Sequence, residues 1–243
     1  MNFISRMNEI PKSLHRRRPG RTFPFARALM AAVGVAILGL AGGCSVAESL
    51  TDPVSRGPFF EPKNFTGVPR LPATLRRVVL LPVAGTPGTP IEALASFDQV
   101  VLAELQRQAR FEVVVADPAA LTRICDRPRM LSSEVLPPGF LSALAREFGA
   151  DGVMFVDATS FSPYQPLVLG LRAKLASGDG AILWSFDTLF SAATPAVANS
   201  ARRHDRQRHP SSEPGDTSFT VLRSPMRFAD YAAEAAFRTL PPR

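Results

Sequence analysis

Arg77-Val78-Val79-Leu80-Leu81-Pro82-Val83 decides the fold. It is a continuous β-branched and leucine run with no polar alternation. A strand buried on both faces reads this way, and such strands belong to sheets with helices packed against them. Gly85-Thr86-Pro87-Gly88-Thr89 follows as a loop. Thr89, Pro90 and Glu92 then make a helix start, with an N-cap, a proline at the first turn and a glutamate at the third position. That helix is expected to run to about Ala109, with Leu94, Phe97, Val101 and Leu105 forming one apolar stripe at spacings of three and four.

The same alternation continues outward. Phe111–Ala116 reads as a second strand, and Asp117-Pro118 opens a short helix through Cys125. A helix over Pro138–Phe148 turns Phe140, Leu144 and Phe148 inward and ends at Gly149. Asp151–Asp157 is a third apolar strand. Leu167–Ala176 and Ala181–Phe190 flank Ser177-Gly178-Asp179-Gly180, a hairpin turn. In the first of these strands Leu167, Leu169, Leu171, Ala173 and Leu175 alternate with Val168, Gly170, Arg172, Lys174 and Ala176, so one face is apolar and the other partly polar. Residues 191–223 are rich in Arg, Ser and Pro and read as an irregular loop. Ser224-Pro225 starts a last helix to about Thr239, with Phe228, Tyr231 and Ala232 on one face.

The expected class is α/β (α+β): a mixed sheet of about five strands in the order β-α-β-α-α-β-β-β-α, with helices packed on the sheet. The domain organisation is a leader over 1–43, a Pro-rich tether over 44–75, and a single domain over 76–240. Five prolines break the tether, and Phe59-Phe60 is its one apolar cluster able to dock on the domain.

The leader carries seven basic residues (Arg6, Lys12, Arg16, Arg17, Arg18, Arg21, Arg27) against Glu9 alone, then an uncharged run from Ala28 to Leu40. A basic segment, a short apolar segment and small residues before a cut site are the parts of a secretory signal. The run is too short for a membrane span of about 20 residues. Met7 is an alternative start. Leu40-Ala41-Gly42-Gly43-Cys44 resembles the bacterial lipobox, with Ala41 where that signal usually has leucine. The resemblance implies a diacylglyceryl thioether on Cys44 and acyl chains holding the protein on a membrane. In the enterobacterial lipoproteins that this signal resembles, aspartate after the cysteine retains the protein in the inner membrane, so the resemblance implies for Ser45 the outer membrane, with the domain facing the periplasm.

The formal charge of +7 would suggest a nucleic-acid partner, but most of it lies in the leader. Beyond residue 43 there remain 21 of the chain's 28 basic residues and 20 of its 21 acidic ones. That near balance removes the electrostatic case for a polyanion partner. With Cys44 acylated, Cys125 is the one cysteine left, so no intrachain disulfide is expected.

Several stretches resemble bacterial envelope lipoproteins: the strand ending Leu81-Pro82-Val83, the helix–Gly149-Ala150-Asp151–strand passage, and the meander Tyr164-Gln165-Pro166, Leu171-Arg172-Ala173-Lys174-Leu175, Gly180-Ala181-Ile182-Leu183-Trp184. They look like the periplasmic domains of the curli-secretion lipoprotein group. The lipoprotein activators of penicillin-binding proteins and the N-terminal domain of TolB share a related fold. The resemblance covers about residues 76–190. It implies a protein–protein module of the cell envelope, with envelope proteins as partners and a homo-oligomer as one form, and not an enzyme. No functional residue carries over. A subunit of a secretion or transport apparatus is the alternative, and a cell-wall hydrolase a more distant one.

The chemical candidates are few. Trp184 and Tyr164 are aromatics suited to an interface, and Arg202 and Arg203 mark a basic contact patch. An exposed Trp184 would mark a binding face. His204-Asp205 and His209 stand among Arg202, Arg203, Arg206 and Arg208, which would repel a cation, so a solvated loop is expected and no metal. Asp157, Asp179 and Asp187 are not paired as acid and base. Gly85–Pro90 lies between strand and helix but lacks the G-x-x-x-x-G-K-[ST] pattern. Neither G-x-S-x-G nor H-E-x-x-H occurs. No cofactor is expected.

Overall fold

The computed structural model describes residues 52–210 and 217–243. The leader, Cys44 and the lipobox residues Leu40, Ala41, Gly42 and Gly43 lie outside the described residues. The elements are α1 (Pro53–Arg56), β1 (Phe65–Gly67), β2 (Arg77–Leu80), β3 (Ala84–Gly85), α2 (Ile91–Arg107), β4 (Glu112–Val115), α3 (Pro118–Cys125), α4 (Phe140–Phe148), β5 (Gly152–Ser162), β6 (Val168–Ser177), β7 (Ile182–Ser191), α5 (Pro195–Arg208), a 3-10 helix (Thr217–Leu222) and α6 (Pro225–Phe237). The class is the mixed α/β one expected, but the sheet has seven strands, in the order β1-β7-β6-β5-β2-β4 with β3 also on β5.

The two extra strands have local causes. The run Arg77–Val83 is interrupted at Pro82, which has no N–H to give a ladder. Leu81 still donates to Met154 O (3.0 Å), but Val83 N turns to Asp98 Oδ1 on α2 (2.6 Å), and Ala84-Gly85 rejoins β5 beside Asp157 and Ala158. Arg129 locks this step by bridging Val83 O (2.5 Å) and the Asp98 carboxylate (2.8 Å). The other extra strand, β1, comes from the segment read as a tether. Phe65, Thr66 and Gly67 pair antiparallel with Phe186, Ser185 and Trp184.

β2 runs parallel to both β4 and β5, while β5, β6 and β7 form an antiparallel meander. Alternate residues of each strand point to opposite faces. On one face Leu80, Met154, Val156, Leu171, Leu175, Trp184 and Phe186 meet α2 through Leu94, Phe97 and Val101 and α6 through Phe228, Ala232 and Ala236. On the other face Val79, Leu81, Val153 and Phe155 meet Leu121 of α3 and Phe140 and Leu144 of α4. α3 and α4 cover only the parallel half of that face.

Most expected elements stand within a residue or two of their sequence limits. The start of α2 is shifted: Pro90 occupies the N-cap without a side-chain bond, where Thr89 was expected. Residues 191–223 are a larger correction, because α5 fills much of the expected irregular loop. Its apolar stripe is short, Val197 and Ala201, and continues into His204 and Asp205. Periodicity in apolar residues alone cannot register such a helix.

The domain also begins earlier than Arg76. Val54, Leu71 and Leu75 are buried. Phe60 packs edge-on against Phe190 with ring centres 5.6 Å apart, which is the docking foreseen for Phe59-Phe60.

Candidate functional site

The densest chemistry lies where α2, α5 and α6 meet. Glu104 of α2 is fully buried. Its carboxylate accepts from Arg208 Nη2 of α5 (2.6 Å), from Gln108 Nε2 (2.9 Å) and from Arg107. One turn earlier on α5, His204 Nε2 accepts from Arg208 Nε (3.2 Å) and lies 3.1 Å from Glu234 Oε2 of α6. Asp205 accepts from Arg227 Nη1 (3.2 Å), and His209 Nδ1 is 3.2 Å away.

Burial, helped by the Arg208 charge, pushes His204 down to about 4, so the imidazole is neutral at physiological pH. Burial and the Glu104 carboxylate push Glu234 up. Buried charges persist only when paired and hydrogen-bonded, and this network pins three helices together. His204 and Asp205 are thus structural, not the solvated loop expected. Among the described residues no group of three or more His, Cys, Asp or Glu could hold a metal ion.

A cleft of about 540 Å³ opens beside this network, between the Phe59–Phe65 segment and α5 and α6. Phe59, Phe60, Arg203, His204, Tyr231 and Glu234 are among its walls. Tyr231 is buried, which pushes its hydroxyl up to about 12, and the Ser200 hydroxyl nearby does not meet it in hydrogen-bonding geometry. Ser200 Oγ accepts instead from Phe60 N (2.8 Å).

The meander carries a second polar row, on the half of the face that α3 and α4 leave uncovered. Asp157, Arg172 and Asp187 are register partners across β5, β6 and β7. Arg172 holds Asp187 (2.8 Å). Asp157 is fully buried beneath the 126–138 connection and accepts from Ser132 N (2.9 Å) and Ser132 Oγ (2.6 Å). Burial pushes its carboxyl up, against the pull of Ser132, Arg172 and Lys174. Lys174 Nζ donates to Ser132 O (2.8 Å), so the strap over this face is tied at one residue from both sides. Asp179 is the turn former expected, accepting from Ala181 N. The Gly85–Pro90 loop closes on itself, with Thr89 N bound to Thr86 O (3.0 Å).

The four residues singled out for interaction divide. Trp184 is fully buried, its Nε1 donating to Thr239 Oγ1 (3.1 Å), so it is core and not a binding face. The strand alternation that puts Leu175 inside carries its register partner Trp184 inside too. Tyr164 is 80% exposed at the β5–β6 turn. Arg202 is buried with its guanidinium 3.8 Å from the Phe219 ring centre, and exposed Arg203 lies 4.6 Å from that of Phe59.

Sequence reasoning passed over the sheet edge. β4 pairs only with β2 among the described residues. Glu112 N and Ala116 N donate inward to Arg76 O and Leu80 O, so the Val113 and Val115 amides point outward. Val115 is 45% exposed. The signal was present in Phe111–Ala116, a β-branched run whose only charge is Glu112.

No family model and no curated protein sequence matches this chain. Solved structures similar to it include the PelC dodecamer from Paraburkholderia phytofirmans, with 17% identity, 74% of this chain and 96% of that chain covered, and a TM-score of 0.42. Lipoprotein GNA1162 from Neisseria meningitidis has 17% identity over 47% of this chain and 79% of its own, TM-score 0.33. The LpoB C-terminal domain from Salmonella enterica has 20% identity over 46% and 80%, TM-score 0.33. With scores this low, none of the three bears on what this chain does.

Proposed function

We propose that this chain is a cell-envelope protein held on a membrane, the outer membrane on the Ser45 reading, by acyl chains on Cys44. Its α/β domain binds and assembles with other envelope proteins and does not catalyse a reaction. The observation that carries the binding role is the open β4 edge. Edge strands are normally blunted by shortness, charged side chains, proline, a bulge or a covering element, because unpaired amides and carbonyls recruit another strand. β4 presents two outward amides beside exposed Val115 and carries no lysine or proline; it is four residues long, and its one charge, Glu112, is held by Arg77. Strand addition to such an edge supplies main-chain hydrogen bonds, with the alternate valines giving selectivity.

A photo-crosslinking residue placed at Val115 in cells should give a discrete heavier species, and one at Asp179 in the β6–β7 turn should not. Equal yields at the two sites, or none at Val115, would remove the edge from consideration. The anchor is tested apart from this by Cys44→Ser, which should leave the membrane fraction and lose the mass of the acyl groups.

A further inference from the structure

The described domain begins with a residue that is pinned in place. Asp52 accepts from Val54 N (3.0 Å) at the start of α1 and from Arg206 Nη1 of α5 (2.9 Å). α1 packs on α5, and Val54 is buried. Cys44 stands eight residues before Asp52 in the sequence. A chain spans at most about 3.6 Å per residue, so Cys44 lies within about 29 Å of Asp52 along any path. A domain of this length is about 40 Å across. If Cys44 is acylated, the side of the domain opposite Asp52 cannot reach the bilayer, and the α1–α5 side is the one tied to it.

That side has the chemistry of a headgroup contact. Arg56, Arg203 and Arg206 are exposed there. At about 100° per residue, Arg202, Arg203 and Arg206 fall within about 100° of helix circumference. Two of these guanidinium groups lie over aromatic rings, Arg202 on Phe219 and Arg203 on Phe59, and Phe219 is 51% exposed. Arginine meets phosphate oxygens with two parallel N–H donors, and an exposed phenylalanine can bury its ring at the boundary between headgroups and acyl chains. Asp52 and Glu61 offset part of the charge and leave it positive.

We infer that the surface around Arg56, Arg203 and Arg206 rests on anionic phospholipid headgroups beside the anchor and so fixes which way the domain faces. The inference rests on the lipidated reading of Cys44 and adds the lipid class to it. A single basic residue near a negative membrane surface changes binding about fivefold at moderate salt, and the effect fades as salt screens it.

The test is phenylglyoxal labelling of arginine in the purified full-length mature protein on vesicles of phosphatidylcholine alone or mixed with phosphatidylglycerol. Arg203 and Arg206 should label about fivefold more slowly on the mixed vesicles, and the difference should vanish at high salt. Arg203→Glu should abolish the protection of Arg206 while leaving the melting temperature unchanged. Equal labelling on both vesicles overturns the inference. So does protection that needs added peptidoglycan instead of anionic lipid. The mass of the Cys44 peptide scores the anchor separately: an acylated Cys44 with unprotected arginines sinks the headgroup contact alone.

Discussion

His204 is 7% exposed and held to about 4, whereas an unfolded histidine takes its proton near 6.5. Between those values the unfolded chain binds a proton that the folded chain refuses. Stability is therefore full above about pH 6.5 and is lost as pH falls toward 4. The interval corresponds to at most about 3 kcal/mol. Glu234 works with the opposite sign, because a carboxyl pushed up takes its proton more readily when folded, and this trims the loss. His204→Gln should lower stability at neutral pH by breaking the Arg208 contact. It should also flatten the stability profile between pH 6.5 and 4, as read by urea midpoints at a series of pH values. A profile that stays parallel to wild type would mean that His204 does not carry the acid sensitivity. The sequence showed His204, Asp205 and the flanking arginines as a group but could not show their burial. Their partners Glu104, Arg227 and Glu234 lie on other helices, and only tertiary packing brings them together.

At the scale of elements, the meander was legible because its two faces differ in chemistry. Leu169, Leu171, Ala173 and Leu175 are all buried, as their alternation required. Helix α5 was not legible, since its inward positions after Ala201 are polar and satisfied by ion pairs. A bulge was also hidden: the β5–β6 register shifts between Ala158 and Ser160, opposite Gly170. The glycine is there for closeness of approach. A Cβ added at Gly170 would stand 3.0 Å from Ser160 N and closer still to Thr159 Oγ1, and backbone at a bulge cannot swing aside. Gly170→Ala should therefore cost about 1–3 kcal/mol, the usual penalty of forcing an extra group into packed structure. Chemical denaturation measures it, and a variant as stable as wild type would show that the bulge relaxes freely. Val168 and Ser177, at the ends of β6 and away from the bulge, should accept small substitutions with much smaller effects.

For the molecule as a whole, the informative difference is where the domain begins. The prolines of residues 45–72 suppress any helical or strand period, so a sequence reader sees a spacer. In the folded protein the stretch 52–75 supplies β1, buries Val54, Leu71 and Leu75, and lays Phe60 against Phe190. Backbone bonds tie it down as well, from Val68 N to Leu183 O (2.9 Å) and from Leu71 N to Pro242 O (2.9 Å), so the two ends of the domain close on each other. Burying one such aliphatic side chain stabilises by roughly 1.5–3 kcal/mol. Three together approach the roughly 5–15 kcal/mol by which a whole domain is stable. A fragment starting at Arg76 should then melt far lower than one starting at Asp52, or show no cooperative transition, when the two are compared by circular dichroism. It should also expose the β7 edge at Trp184–Phe186 and aggregate more readily. If the fragment from Arg76 melts like the longer one, residues 52–75 are a spacer after all. α1 and Asp52 would then be free to drift from α5, and the fixed orientation on the membrane would be lost with them.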